Sequence, residues 1–400
     1  MNIRGAIFDL DGTLTDSMYI WQKAPVDLVR RYGGDPPEDL ARDLKEMGRR
    51  EAAEYLRSRF SLSTTPEELM DTLNDLVTEE YRSRVPMKSG ADRLVGTLDS
   101  TNVLQGKEGW LFLKDVSDSK SLSDYQGLTA YTAGETQAMA DSLTALNDAL
   151  AAKGSRLLLL FAPAKEGVYS RYMPDSVPVV SRPTRVGALA NTLAETGVPV
   201  LFPLEELENA ALERQVYYKY DTHWNEAGAW LAAQLTLEAL DKPYAAAWPE
   251  MAADPEKAPL TDLANMCGSW AWCTDDVYWA LDAVPAECTL WEAGGEIARY
   301  AGEGEGSLLL ARDSFGEALA PWLAQGFEST TVLHGNQMQP ETLLEWQPEV
   351  PDVVVLEVAE RFADNLPGRL EALRQWAEAA PAVWPRLTFH VLDDGTDSNE

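Results

Sequence analysis

The sequence predicts an α/β protein whose larger part is a parallel sheet covered on both faces by helices. A smaller module, one strand followed by a helical bundle, precedes it. Three observations carry this prediction. Continuous apolar runs of strand length alternate with helical patterns beyond residue 130. The first hundred residues contain a single such run, followed by three helical patterns. The composition also changes near residue 100.

The 400-residue chain carries 33 basic and 65 acidic residues, a net charge of −32. Residues 1–100 hold 14 basic and 19 acidic residues, a net of −5, and one tryptophan, Trp21. The remaining −27 and the other 12 tryptophans follow. Such a shift predicts two modules, 1–98 and 106–400, joined by a linker at 99–105. Small polar residues at Gly96–Asn102 suit that linker. A surface this acidic repels phosphate backbones and anionic lipid, so nucleic-acid partners are excluded from the expectation. With 45% hydrophobic residues there is ample material for packed cores.

The first module opens with Ala6-Ile7-Phe8, a short buried strand that runs into Asp9-Leu-Asp11-Gly-Thr13. Helical patterns follow over 18–33, 37–59 and 66–84. Thr65-Pro-Glu-Glu68 is a start signal, with Thr65 as cap, Pro66 in the first turn and Glu68 closing a capping box.

In the second module Thr132–Gly154 reads as a helix with Thr132 and Glu135 in capping-box spacing and Gly154 as its stop. It feeds a strand at Arg156–Phe161. A helix at Thr184–Gly197 leads to a strand at Val198–Phe202, and a further helix spans Asn225–Leu240. Strand-like runs recur at Ser307–Ala311, Thr330–Leu333, Asp352–Val358 and Leu387–Leu392. Ligands of such sheets bind at the carboxyl ends of the strands, so polar residues just beyond those ends take priority.

No stretch approaches the ~18 apolar residues of a membrane span. The N-terminus lacks the apolar core of a signal peptide and reaches an acid at Asp9, so the chain as written is expected to start in the cytoplasm. Cys267, Cys273 and Cys288 match no zinc spacing and are expected as buried free thiols.

Two constellations carry chemistry. Asp9 and Asp11 are two carboxylates two residues apart at a strand end. They can share one site, one attacking a phosphoryl group and the other handling the proton, with Mg²⁺ as a possible cofactor bound by both. The alternative is an ordinary acidic turn. The second constellation begins at Asp221-Thr-His223, where residues two apart share a face of an extended segment. An aspartate beside a histidine fixes its tautomer and stabilises the imidazolium. Downstream, Ser307-Leu-Leu-Leu-Ala-Arg-Asp-Ser314-Phe-Gly316 reads as strand, sharp turn and helix start. Ser314 is exposed there as a nucleophile beside helix N-terminal N–H groups that suit an oxyanion. His223 is the candidate base, His334 its rival, and His390 falls inside an apolar strand. Lys165 and Tyr169 follow a strand end and either bind substrate or pair with acids. Arg312 flanks the nucleophile as a further substrate-binding candidate, and Asp313 shapes the turn. Glu360 and Arg361 follow another strand and are candidates for orienting site groups. Trp224, Trp270, Trp272 and Trp279 offer either sugar-stacking faces or core.

Residues 5–21, GAIFDLDGTLTDSMYIW, resemble the haloacid dehalogenase (HAD) superfamily of phosphatases and phosphomutases. The resemblance covers about residues 1–98, including a helical cap, and implies Asp9 as nucleophile, Asp11 as general acid/base and Mg²⁺ bound by both. The second strand of that fold is missing from the pattern, so the module reads as a truncated fragment. Asp393-Asp394 imitates the family's late acidic pair but reads as a solvated tail.

VLQGKEGWLFL (103–113), FAPAKEGVYSRYMP (161–174), VYYKYDTHWNEAGA (216–229), LLARDSFGEALAPWL (309–323) and VVVLEVAERF (353–362) occur in order. They resemble the SGNH-hydrolase-like proteins of the alginate O-acetyltransferase AlgJ/AlgX type and the related DHHW family, over roughly 103–395. The resemblance implies an SGNH-like α/β/α sandwich with Ser314 as nucleophile, His223 as base and Asp221 as its orienting acid. It also implies serine-dependent O-acetyl transfer to, or acetyl-ester hydrolysis on, an exported or cell-surface polysaccharide. The expected partners are a carbohydrate polymer and an acyl donor or acyl-donor protein, with no cofactor for this module. Relatives of this type work outside the cytoplasm, against the cytoplasmic reading of the N-terminus. The other readings are HAD-type phosphate-ester hydrolysis through Asp9 and Asp11, or a non-catalytic carbohydrate-binding assembly protein.

Overall fold

The computed structural model describes residues 10–45, 47–83, 85–86, 88, 102–269 and 273–382. The chain forms two compact units, Met1–Thr97 and Leu98–Glu400.

The described part of the first unit is helical: α1 (Met18–Arg31), α2 (Leu40–Leu44), α3 (Arg49–Arg59) and α4 (Pro66–Ser83). The α4 start is the expected capping box. Glu68 accepts the Thr65 N–H at 3.0 Å, and Thr65 Oγ1 accepts the Glu68 N–H at 3.2 Å. Val26, Val29, Leu40, Ala53, Leu56 and Leu69 form the core. The expected single helix over 37–59 is instead α2 and α3. Gly48 adopts extended backbone (φ −67°, ψ 157°) and Glu51 accepts its N–H at 3.3 Å, a cap that restarts the helix. The expected strand at Ala6–Phe8 lies outside the described residues.

The second unit opens with a hairpin, β1 (Val103–Gln105) and β2 (Leu111–Leu113), so residues 103–105 are a strand and not the expected linker. There follow α5 (Ser121–Gln126), α6 (Ala133–Ala151), β3 (Arg156–Ala162), α7 (Lys165–Val168), α8 (Arg185–Ala194), β4 (Val200–Leu201), α9 (Leu204–Ala210) and α10 (Glu226–Ala239). Beyond them lie β5 (Met251–Ala253), α11 (Asp262–Met266), β6 (Trp279–Leu281), β7 (Glu287–Glu292), β8 (Ile297–Ala301), β9 (Ser307–Arg312) and α12 (Phe315–Leu323). The described part ends with β10 (Ser329–His334), α13 (Pro340–Trp346), β11 (Val353–Ala359) and α14 (Leu366–Ala379).

Among the described residues the central sheet has seven strands in the order β4-β3-β11-β9-β10-β8-β7. β4, β3, β11, β9 and β10 run parallel. β8 and β7 are antiparallel, so the sheet is mixed and not purely parallel as expected. The reason is local. Gly294 and Gly295 both take positive φ in the short connection between β7 and β8, which returns the chain as a hairpin without a crossover helix.

Alternate side chains of each central strand leave opposite faces. Leu158, Leu160, Leu308, Leu310, Val353 and Val355 pack on one side with residues of α10 and α12. Leu157, Leu159, Leu309, Val354 and Leu356 pack on the other with residues of α6, α8 and α14. Both faces are therefore buried, which is why these strands read as unbroken apolar runs. β9, the strand that leads to Ser314, lies between β11 and β10.

No helix among the described residues is long and apolar enough to cross a membrane. All three cysteines are free. Cys273 is buried and Cys267 half-buried, but Cys288 is exposed on the edge strand β7, against the expectation of burial.

Candidate active site

Two segments from different elements meet at the carboxyl end of the sheet. The first is the turn before α10. An isolated bridge pairs Tyr217 with Trp224, and the Tyr218 N–H donates to the His223 carbonyl at 3.2 Å, so residues 218–223 form a closed loop. Asn225 anchors its far end. Its Oδ1 accepts the Ala227 and Gly228 N–H groups at 3.1 and 3.2 Å as the α10 cap, and its Nδ2 donates to the Gln215 carbonyl at 2.9 Å. The second segment is the turn from β9 into α12, with Ser314 at the helix cap. Trp224 Nε1 donates to the Phe315 carbonyl at 3.0 Å and so ties the two together.

Asp221, His223 and Ser314 stand in line. His223 Nε2 lies 2.7 Å from Ser314 Oγ, and His223 Nδ1 lies 2.7 Å from Asp221 Oδ1. Asp221 Oδ1 also accepts the His223 N–H at 2.9 Å, and Oδ2 accepts the Asp262 N–H at 2.7 Å. Burial alone would raise the Asp221 carboxyl. The hydrogen bond and charge of His223, with the N–H groups of Asp262 and His223, outweigh it and hold the carboxyl at about 2. Asp221 is thus a fixed anion at neutral pH, and the Nδ1 proton faces it. That leaves Nε2 free to take the Ser314 proton. The His223 side chain is 17% exposed, which leaves the site open to a reactant.

Asp262, at the start of α11, completes the loop's support. Its Oδ1 accepts the Thr222 N–H at 2.8 Å and its Oδ2 the Thr222 hydroxyl at 2.5 Å, and it stands 4.0 Å from His223 Nδ1. Burial and the Asp221 charge push its carboxyl upward. Asp221, His223 and Asp262 also lie close enough together to surround an ion. In this arrangement their facing atoms are already engaged by one another, by Ser314 and by Thr222.

The turn that carries Ser314 is clamped from β11. Asp313 Oδ1 accepts the Phe315 N–H at 3.1 Å and Oδ2 the Ala359 N–H at 2.5 Å. Glu357, fully buried, accepts the Asp313 N–H at 2.9 Å. Burial, with the neighbouring Asp313, raises the Glu357 carboxyl well above its ordinary range.

The three expected substrate-binding residues are placed otherwise. Lys165 is buried, and its Nζ donates to the carbonyls of Tyr218, Lys219 and Asp221 at 3.0, 3.1 and 2.6 Å. It holds the 218–221 loop by these three bonds and, among the described residues, forms no salt bridge. Tyr169 is also buried, its hydroxyl accepting the Val216 N–H at 2.9 Å. Arg312, 3% exposed, donates to the Asp313 and Gly295 carbonyls at 3.0 and 2.6 Å. All three side chains lie in the interior and bond main-chain groups in this structure.

His334 lies at the end of β10, where its ring nitrogen accepts the Asn336 N–H at 3.2 Å. His390, Trp270, Trp272, Asp393 and Asp394 lie outside the described residues, as does Asp9. Asp11 is described. Its Oδ1 accepts the Ser17 hydroxyl at 2.9 Å and the Tyr81 hydroxyl. The other carboxylate expected to hold Mg²⁺ with it, Asp9, lies outside the described residues, and Asp11, its Oδ1 engaged by two hydroxyls, is the one described carboxylate of the pair.

Sequence reasoning missed Asp262, Glu357 and the Lys165 clamp. Glu357 alone gave a signal, being an acid in the middle of the Val353–Ala359 apolar run.

Residues 103–269 match the family model of the SGNH hydrolase-like domain of acetyltransferase AlgX. That stretch includes Asp221, His223 and Asp262 and ends before Ser314. A relative named probable alginate O-acetylase AlgJ, from Pseudomonas syringae pv. tomato, is 27% identical over 187 residues. The match covers 44% of this chain and 45% of the relative, so the chain spans less than half that protein's length. Among solved structures, the O-acetyltransferase domain of Pseudomonas putida AlgJ matches at 20% identity with a TM-score of 0.41, covering 68% of this chain and 98% of that one. A DHHW family protein from Eubacterium siraeum matches at 15% identity with a TM-score of 0.44, covering 68% and 98%. Over residues 103–269, then, this chain is similar to the SGNH hydrolase-like domain of acetyltransferase AlgX.

Proposed function

We propose that the second unit is a serine-dependent O-acetyltransferase or acetyl esterase acting on a polysaccharide. The observation that carries this reading is the unbroken line from Asp221 Oδ1 through His223 to Ser314 Oγ, 2.7 Å at each contact. In the first half-reaction Ser314 Oγ attacks the acetyl carbonyl of the donor while His223 Nε2 takes its proton. The donor's alkoxide leaves with that proton, and an acetyl group remains on Ser314. In the second half, a sugar hydroxyl or water gives its proton to His223 and attacks the acetyl-enzyme, which frees Ser314. The polysaccharide acceptor comes from the alginate named for the relative and from the AlgX acetyltransferase match.

Turnover of an activated acetyl ester such as p-nitrophenyl acetate tests the reading. Wild-type protein is expected to turn over and to carry an acetyl group on the Ser314 peptide in a rapid-quench digest. Ser314→Ala is expected to lose both, and retained turnover in that variant overturns the reading. For the first unit we keep as a separate proposal the phosphate-ester chemistry implied by Asp9 and Asp11. Release of phosphate from p-nitrophenyl phosphate, lost in Asp9→Asn, is its test.

A further inference from the structure

We propose that Arg361 is a further catalytic residue of this site, its guanidinium donating to the oxyanion that forms when Ser314 attacks an acyl carbonyl. The inference rests on the Ser314 reading above.

Placement is the first argument. β11 flanks β9, with Leu356 opposite Ala311, and both strands end at the same edge of the sheet. The Ala359 N–H already reaches the Asp313 side chain, so Arg361, two residues on, leaves the sheet beside the Ser314 turn. Its guanidinium carbon lies 5.5 Å from the centre of the Phe315 ring, and the His223 ring packs against the same phenyl, tilted by 45°, with centroids 4.7 Å apart. The base and the arginine therefore share one aromatic support next to the nucleophile.

Availability is the second. The Lys165 amine, the terminal nitrogens of Arg312 and the Arg369 Nη1 near these turns donate to main-chain carbonyls. Among the described residues the Arg361 guanidinium has no hydrogen bond and no ion pair, and its Nε is closed to solvent without a partner. Leaving a buried donor unsatisfied is costly, and an acceptor supplied by a reacting group relieves that cost. Arg361 also borders two cavities. One is a crevice of about 10 Å³ shared with Thr222 and Phe315, and the other a pocket of about 110 Å³ shared with Ser121 and Thr184. The Arg361 side chain thus lines both cavities.

Chemistry is the third. As the Ser314 Oγ–C bond forms, the carbonyl π pair moves onto oxygen, and the Ser314 proton goes to His223. The new negative charge arises in a unit already carrying most of the chain's −32 and beside the fixed anion Asp221. One N–H from the turn at Ser314 is a neutral donor. A cationic donor aimed at the same oxygen offsets the surrounding anions, and the charge returns to the carbonyl when the leaving alkoxide takes the proton from His223.

The test uses the full chain and p-nitrophenyl acetate. Arg361→Gln is expected to lower kcat by about 10² to 10³ with KM changed less than threefold, the size of effect seen when one oxyanion donor is removed. Arg361→Lys, with a charge but no fork, is expected to fall between. Arg361→Met keeps the stem over Phe315 and gives the same readout should the glutamine variant fail to fold. If Ser314→Ala is inactive while Arg361→Gln and Arg361→Met keep kcat within threefold, the inference is overturned and the serine reading stands. A rise in KM alone makes Arg361 a substrate anchor and overturns it equally. Turnover surviving in Ser314→Ala removes the reading on which it rests.

Discussion

The main-chain N–H of Asp262 donates to Asp221 Oδ2 at 2.7 Å, while the Asp262 side chain accepts both the N–H and the hydroxyl of Thr222. The carboxylate beside His223 is thus held from a segment forty-one residues downstream. Asp262→Ala leaves the N–H in place but frees Thr222. It is expected to lower kcat roughly tenfold with little change in KM, the loss of about one charge-assisted hydrogen bond's worth of alignment. Asp262→Asn keeps an acceptor for the Thr222 N–H and is expected to stay close to wild type. Steady-state kinetics of the two variants on one acetyl ester check the pair.

Asp221→Asn is expected to cost about 10⁴ in kcat, because an amide no longer selects the tautomer with its proton on Nδ1. The same carboxylate has a signature in stability. Its value in the fold, about 2, lies below its ordinary 3.8. Its contribution is therefore present above pH 4 and is lost as pH falls toward 2. The difference corresponds to roughly 2 kcal/mol. Urea unfolding at pH 5 and pH 2.5 should show a smaller acid loss in Asp221→Asn than in wild type.

Glu360 titrates in the opposite sense. Burial raises its carboxyl from 4.5 to about 7, although it accepts the Ala164 N–H and the Thr184 hydroxyl at 2.8 Å each. A carboxyl raised in the fold stabilises below its unfolded value, and that stability fades as pH climbs from 4.5 through 7. Glu360→Gln is expected to flatten this slope, by roughly 3 kcal/mol at most between pH 5 and pH 8. Denaturant midpoints at those two values measure it.

Lys165→Met leaves the carbonyls of Tyr218, Lys219 and Asp221 without their shared donor in the interior. Stability is expected to drop by about 3 kcal/mol or more. Activity should fall further than the folded fraction, since the freed loop carries His223. Thermal melts and kcat on the same preparation separate the two effects.

The sequence made the central strands legible because both of their faces are covered. Runs such as Arg156–Phe161 and Asp352–Val358 match β3 and β11 to within a residue at either end. The edge was not legible. β7 and β8 mix exposed and buried residues without a sustained apolar run, and their order at the sheet edge follows from a glycine turn and not from periodicity. Residue type and position after a strand single out Asp221, His223 and Ser314, which the fold brings into line at 2.7 Å for each contact. Asp262 was not, because nothing in Thr261-Asp-Leu-Ala-Asn265 announces that its N–H points at a residue in another loop. The burial of Lys165 was not legible for a compositional reason: lysine is seldom buried, and the three carbonyls converging on its amine make burial tolerable here.

The strand order sets when this unit can be made. β3 leaves the ribosome early, yet its seven-residue partner is β11, Arg156 pairing with Val353 and Ala162 with Ala359. Until then its sheet neighbour is the two-residue β4. The middle of the sheet is therefore assembled from the last third of the chain, and β9 is enclosed on both sides only when β10 and β11 have emerged. Pairings this distant in sequence close slowly and late, with apolar strands exposed in the interval. Asp221 and His223 are translated well before Ser314, so the three can come together only after β9 and the start of α12 have emerged.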